Sequence, residues 1–366
     1  MTSTTTNYGW TVPTSSDLVK NGATAISTVG QSVDTFLFRP FSKNVLINGG
    51  YDIWQRSTSY ALTSTGGAYG AADRWSNSQD GTAAGTASQI TSSLPTGFRY
   101  GIKIQRTAAA TTTGAIRNAQ VIETANSVYL AGQTVTLSFY AKAGANFSAA
   151  SSVLNTILAT GTGTDQSSAA MSAGTWTGYA GNSSTYTLTT SWQRFTYTVT
   201  LPSTITQAGI TFYYVPVGTA GADDSVSITG IQLEIGSQAT PFSRNAGTIQ
   251  GELAACQRYY ARFNASGSYS PISTIFFANT SSAAYPALPL AVPMRANISV
   301  VDWGGNLSLF DGVNRLTTIT SITPNSSVNN LAISSITMPS SMTTLRAYRL
   351  DDNGAGTAYI GFGAEL

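Results

Sequence analysis

The 366-residue chain has no histidine and a single cysteine, Cys256. Without histidine there is no imidazole to act as general base, to activate a nucleophile or to serve as the commonest metal ligand. One cysteine cannot form a disulfide within the chain or complete a cysteine-ligated zinc site. Charge is scarce as well. Lys and Arg number 18 and Asp and Glu 16, together 9% of the residues, where ordinary globular domains carry roughly 25%. The cations are scattered singly, so the dense basic patch that nucleic acid requires is missing. No run approaches the ~20 apolar residues of a membrane-spanning helix. The opening "MTSTTTNYGWTVPTSSDL" lacks the basic and apolar regions of a secretory leader, so a soluble protein made in the cytoplasm is expected.

What is present points to strands. Hydrophobic residues make up 42% and aromatics 10%, enough to build cores despite the low charge. The polar remainder is mainly Thr, Ser, Asn and Gly, residues of strands and turns. In "TVTLSFYAKA", Val135, Leu137, Phe139 and Ala141 alternate with Thr136, Ser138, Tyr140 and Lys142. "RFTYTVTLP" and "FRYGIKIQR" alternate in the same way, the pattern of antiparallel sheets with one wet face. In "SVSITGIQLEIG" the phase slips at Gly230, which predicts a β-bulge there. The chain therefore reads as mainly β. A jelly-roll β-sandwich is expected over 44–244 and a smaller C-terminal β domain, also a sandwich, over 266–366.

Two stretches break the two-residue period. Val19, Ile26, Val29, Val33 and Phe36 form a heptad-like stripe, with Ser15 or Ser16 as a cap, Asp17 in the first turn and Pro40 as the stop. A lone helix of this length, carrying Gly22 and Gly30, is marginal in water, so residues 1–43 read as an arm and helix that anchor or oligomerise. Packing on its own chain is the alternative for that stripe. Ile249, Leu253, Cys256, Tyr260 and Phe263 recur at steps of four and three, which predicts a linker helix over 245–265 with Thr248 as its cap. Cys256 on its apolar face reads as a small buried hydrophobe.

Several of these stretches resemble tailed-bacteriophage virion appendage proteins. "NYGWTVPTSSDLVKNGATAI" is similar to their N-terminal segments. "NVLINGGYDIWQRSTSY", "GQTVTLSFYAKA", "SWQRFTYTVTLP" and "GIQLEIGSQATPFSR" resemble strands of their carbohydrate-binding-module-like jelly rolls. "ELAACQRYYARF" and "AYIGFGAEL" resemble the helix and final strand that follow. The resemblance implies a virion location and a structural protein, expected to be trimeric and anchored to other virion proteins by its N-terminus. It implies a tail-fibre or baseplate-associated adhesin that contacts host surface polysaccharide, or alternatively a capsid fibre or decoration protein. A glycan depolymerase is a further alternative.

Sugar recognition calls for exposed aromatic faces beside hydrogen-bonding groups. Trp176, Tyr179 and Asn182, set among glycines and serines in "SAGTWTGYAGNSSTY", are the leading candidates; a loop folded down onto the sandwich is the competing reading. Trp303 in "VVDWGGN" is a second candidate, at an expected hairpin tip. Trp54, Trp75 and Trp192 read as core. Jelly rolls of this type often hold a structural Ca²⁺, for which Asn48, Asp52 and Glu234 are weak candidates; otherwise no metal or cofactor is expected. Asp73, Asp80, Asp165, Asp223 and Asp224 belong to no recognisable acid–base motif, and "ADDS" reads as a solvated turn, so no catalytic residue is assigned and no enzyme expected.

Overall fold

The structure is a computed structural model that describes residues 3–4, 11–14, 18–37, 44–63, 67–325, 330–339 and 341–366. The chain divides into two compact units, Met1–Lys43 and Asn44–Leu366. In the first, residues Val19–Leu37 form a helix. Ile26 is 66% exposed on it, whereas Val29 and Val33 are half-buried. The side chains of Val19 and Phe36, and the expected caps Ser15, Ser16 and Asp17 with the stop at Pro40, lie outside the described residues.

The second unit is β throughout, apart from short helices. Two antiparallel sheets pack face to face. One is ordered Ala180–Thr187, Val153–Gly161, Gln207–Tyr214, Ile116–Ile122, Ser76–Gln79. The other runs Gln193–Thr200, Thr134–Ala143, Ser225–Ile235, Gly101–Arg106, Gly85–Ile90, Ser59–Ala61. Val135, Leu137, Phe139 and Ala141 are fully buried between the sheets, with Ile102, Ile104, Leu154, Leu158, Ile210 and Phe212, but Thr136 and Ser138 on the expected wet face are buried as well. Trp75 lies in this core, whereas Trp54 is partly buried and packs against it. Trp192 does not join it; half-buried, it donates its indole N–H to Ser93 O at 2.6 Å, and Lys142 lies over its ring.

The register shifts between Thr229 and Gln232, where Gly230 has φ +63°. A Cβ at Gly230 would come within 2.4 Å of the Phe98 ring, so both conformation and space require glycine. Several buried polar residues of the core are paired, although Thr156 Oγ1 and the Tyr186 hydroxyl have no hydrogen-bond partner. Gln120 exchanges two hydrogen bonds with the Ile47 backbone, and Tyr51 donates to Asn118, which donates to Asn77. Arg106 and Asp224 form a fully buried ion pair at 2.8 Å, so "ADDS" is no simple solvated turn. The carbonyls of Ala110, Thr112 and Gly218 accept from Arg106 Nη2, while its Nε is buried without a hydrogen-bond partner.

The helix after the sandwich spans Ile249–Gln257, capped by Thr248, whose hydroxyl accepts from Gly251 N–H at 3.1 Å. It is shorter than its periodicity predicted. Tyr260 and Phe263 fall instead on the strand Tyr260–Asn264, which pairs with the final strand Tyr359–Gly363. Aromatic residues favour a pleated, half-buried surface, and a waiting sheet partner outweighs the continuation of a helical stripe. Ile249 is 42% exposed, while Cys256 is fully buried and Leu253 packs partly buried beside it. The rest of the chain forms small antiparallel sheets around a second core that includes Leu309, Ile336, Leu350, Ile360 and Phe362.

Candidate functional site

The outward face of the five-stranded sheet carries Ala119, Val121, Ile157 and Ala159, small enough for other elements to settle on. Cys256, Leu253, Tyr259 and Leu366 cover part of it, and Met171 and Trp176 another part. Trp176 is only 3% exposed, and its indole N–H donates to Ser167 O at 3.0 Å. The expectation of an exposed Trp176 platform is therefore corrected. Gly161 and Gly209, on neighbouring strands, leave a slot that the ring fills: a Cβ on Gly209 would approach the ring within 3.2 Å, and one on Gly161 within 3.3 Å. Tyr179 packs partly buried beside it, with its hydroxyl pKa raised by burial and then by Tyr213. Asn182 is half-buried and donates to Leu158 O at 3.2 Å. Trp303 is not at a hairpin tip either. It lies on the strand Val300–Gly304 and packs half-buried against the second core.

The three Ca²⁺ candidates do not form a ligand set. Asn48 is bonded to the backbone of Ile53 and Asp73, Asp52 pairs with Arg244 at 2.8 Å, and Glu234 accepts from Thr240 and Gln232. Among the described residues no group of three or more acidic or cysteine side chains is placed to hold a metal.

The structure assembles a different site, a cleft of about 610 Å³ between the sandwich and the C-terminal sheet. That is within the ordinary range for small-molecule sites, about 300–1,000 Å³. One wall is the three-stranded sheet Tyr260–Asn264, Tyr359–Gly363, Val300–Gly304. Its register aligns Tyr260, Gly363 and Val300 in one row, Arg262, Gly361 and Asp302 in the next, and Asn264, Tyr359 and Gly304 in the third. Alternate residues turn away: Ala261, Ile360 and Phe362 are buried in the second core, and Phe263 packs partly buried against it. The other wall comes from the sandwich and carries Arg56, Ser57, Tyr60, Tyr69 and Gly70.

Glycine on the middle strand opens this wall. A Cβ on Gly361 would come within 2.2 Å of the Tyr260 hydroxyl. With no side chain there, the Tyr260 phenol crosses the strand and donates to Asp302 Oδ2 at 2.8 Å. Burial, and then the Asp302 carboxylate, raise the Tyr260 pKa well above that of an ordinary phenol. Burial followed by Asp302 likewise raises that of Tyr359. Two arginines lie over the rings. The Arg56 guanidinium carbon is 3.6 Å from the centroid of Tyr260, and that of Arg262 is 3.4 Å from the centroid of Tyr359. Arg56 also pairs with Glu365 at 3.2 Å, and Glu365 binds Arg74 on its other oxygen. Behind them the buried Asp73 has its pKa raised to about 6 by desolvation, although Arg56 and Gln55 pull the other way.

The C-terminal sheet is held in place by polar staples. Arg258 pairs with Glu123 at 2.8 Å, Tyr259 donates to the same carboxylate at 3.1 Å, and Tyr69 donates to Leu366 O at 3.0 Å. The cleft thus presents guanidinium edges, phenolic hydroxyls and carboxylate oxygens between aromatic rings. Such a surface can bind a polyhydroxylated ring through paired hydrogen bonds and C–H contacts.

No protein-family model and no curated protein matches the chain. Solved structures to which the chain is similar include the enzymatically active domain of tailspike protein 4 of bacteriophage CBA120, at 16% identity and a TM-score of 0.33, covering 52% of this chain and 21% of that one. TmCBM61 in complex with β-1,4-galactotriose is similar at 13% identity and a TM-score of 0.32, covering 53% of this chain and 100% of that one. A CBM4 structure is similar at 19% identity and a TM-score of 0.29, covering 52% and 98%. The chain therefore spans about a fifth of the tailspike domain and nearly all of each binding module.

Proposed function

We propose that this chain is a glycan-binding structural protein of the virion-appendage type its sequence resembles. In this reading it self-associates and docks on other virion proteins through residues 1–43, and it holds host surface saccharide in the cleft of the Asn44–Leu366 unit. The observation that carries the reading is the convergence of Arg56, Arg262, Asp302, Glu365 and four tyrosines on one cleft of about 610 Å³. Their geometry supports binding rather than turnover. Glu365 is tied to two arginines and Asp302 to the Tyr260 phenol, so neither carboxylate stands ready as a free acid or base.

Calorimetric titration with oligosaccharides released from bacterial surface polysaccharides tests this. Binding that is lost on Tyr359→Ala, with no release of reducing ends over long incubation, is expected. An unchanged affinity in Tyr359→Ala would remove the cleft from the proposal, and steady release of reducing ends would replace binding with hydrolysis.

A further inference from the structure

The cations of the cleft are not equally engaged. Arg56 has a carboxylate partner in Glu365. Arg262 has none: among the described residues no Asp or Glu oxygen lies within ion-pair distance of it. Its Nε donates to Asn264 Oδ1 at 2.9 Å, and its Nη1 donates to the Arg56 carbonyl. Those two bonds and the Tyr359 ring beneath fix the plane of the guanidinium. The Nη2 amino group has no protein acceptor among the described residues, although the side chain lines the cleft. Arg56 Nη1, by contrast, is buried 3.9 Å from Asp73 Oδ1 and is closed to a ligand. Arg262 is half-buried, so its Nη2 is open to solvent or to a ligand acceptor, and the fork is already oriented for one.

Resting on the glycan-binding reading above, we propose that the cleft selects acidic saccharides, with Arg262 binding the carboxylate of a hexuronic acid residue. A planar guanidinium whose fork is already oriented matches a carboxylate, and such charge-assisted bonds are roughly twice as strong as neutral ones. One face each of Tyr260 and Tyr359 is covered by a guanidinium, so a sugar bound there meets a cation edge rather than that bare ring face. Two carboxylates, Asp302 and Glu365, also line the cleft. They repel a dianionic phosphate more than a monoanion, which favours a singly charged sugar. The hydroxyls of that sugar face Asp302 and the tyrosines.

The test compares three probes on the full chain: trigalacturonic acid, its methyl ester and neutral galactotriose. The acid and its ester differ only in charge and the ester methyls. The expected result is binding of the acid at least about tenfold tighter than of the ester. That preference should fall to near unity in Arg262→Gln and shrink as sodium chloride is raised. Arg262→Lys keeps the charge but loses the fork, and should recover only part of it. Equal affinity for acid and ester, or a preference untouched by Arg262→Gln, would overturn the acidic-sugar assignment while leaving glycan binding in place. Equal binding of a sulfated galacto-oligosaccharide would overturn the carboxylate assignment. Failure of all probes, neutral galactotriose included, would count against both proposals. Unchanged thermal unfolding of the variants separates lost recognition from lost fold.

Discussion

The Tyr260 hydroxyl reaches Asp302 Oδ2 at 2.8 Å on a diagonal that passes over Gly361, the middle-strand residue paired with Asp302. This crossing shapes the cleft wall, because it fixes Tyr260 as a platform for Arg56.

Gly361→Ala should break that crossing. The new methyl would meet the Tyr260 hydroxyl at 2.2 Å and the ring at 2.7 Å, and Tyr260 is buried, so it has little room to yield. A loss of about 1–3 kcal/mol in urea unfolding is expected, together with loss of saccharide binding. Gly363→Ala is the control on the same strand. Its nearest neighbour would be at 3.6 Å, an ordinary contact, and its stability should change little.

The Asp73 carboxyl gives a pH signature. Its pKa in the folded chain is raised to about 6 by desolvation, above its ordinary value of 3.8. Between these two values the folded state binds more proton than the unfolded one, so stability from this group falls as pH rises. Its contribution is complete below about pH 4 and is lost by about pH 7 to 8. A tenfold difference in proton affinity between the folded and unfolded chain is worth about 1.4 kcal/mol, so the whole effect is about 3 kcal/mol at most. Asp73→Asn should therefore lose less stability between about pH 4.5 and pH 8 than the parent chain does. Parallel stability–pH curves for the two proteins would show that Asp73 is not the group responsible.

How much of this could be read in advance depends on how local the cause is. The alternation of Val135, Leu137, Phe139 and Ala141 was legible because each sheet face demands one chemistry, and the bulge because Gly230 sits where the phase slips. The burial of Trp176 was not, since the slot that takes it is made by Gly161 and Gly209 together, and nothing local in the sequence shows that their strands are neighbours. The cleft was missed for a related reason. Tyr260 fits a helical stripe as well as it fits a strand, and Arg56, Arg262 and Asp302 share no motif. The available signal was the Gly–Phe–Gly alternation in "YIGFG", which marks a strand with a bare face.

Trp176 should behave as a packing residue. It is 3% exposed and bonded to Ser167, on a face remote in sequence from the cleft residues. Trp176→Ala is expected to cost about 3–5 kcal/mol of stability, the range for removing a buried tryptophan. Trp176→Phe should cost less and leave saccharide affinity unchanged at temperatures where the protein is folded. Loss of binding in Trp176→Phe with an unaltered melting curve would return this residue to the recognition surface.

The helix Val19–Leu37 is proposed as the self-association element, and its own features say how to test that. Ile26 is 66% exposed, and a Cβ at Gly22 or Gly30 would meet nothing within 4 Å. An isolated helix of this length is marginal in water, the more so with two interior glycines that each cost about 1 kcal/mol. Covering an isoleucine would return about 1.5–3 kcal/mol per copy, which is what the proposed association would supply. Residues Asn44–Leu366 form a compact unit with their own cores, and a chain starting at Asn44 should fold alone. Light scattering is expected to give a trimer for the full chain and a monomer for residues 44–366, with the same melting temperature for the β unit. Ile26→Asp should shift the full chain toward monomer without touching saccharide affinity. A full-length chain that stays monomeric at high concentration, with its helix intact by circular dichroism, would show that the stripe does not join copies of this protein.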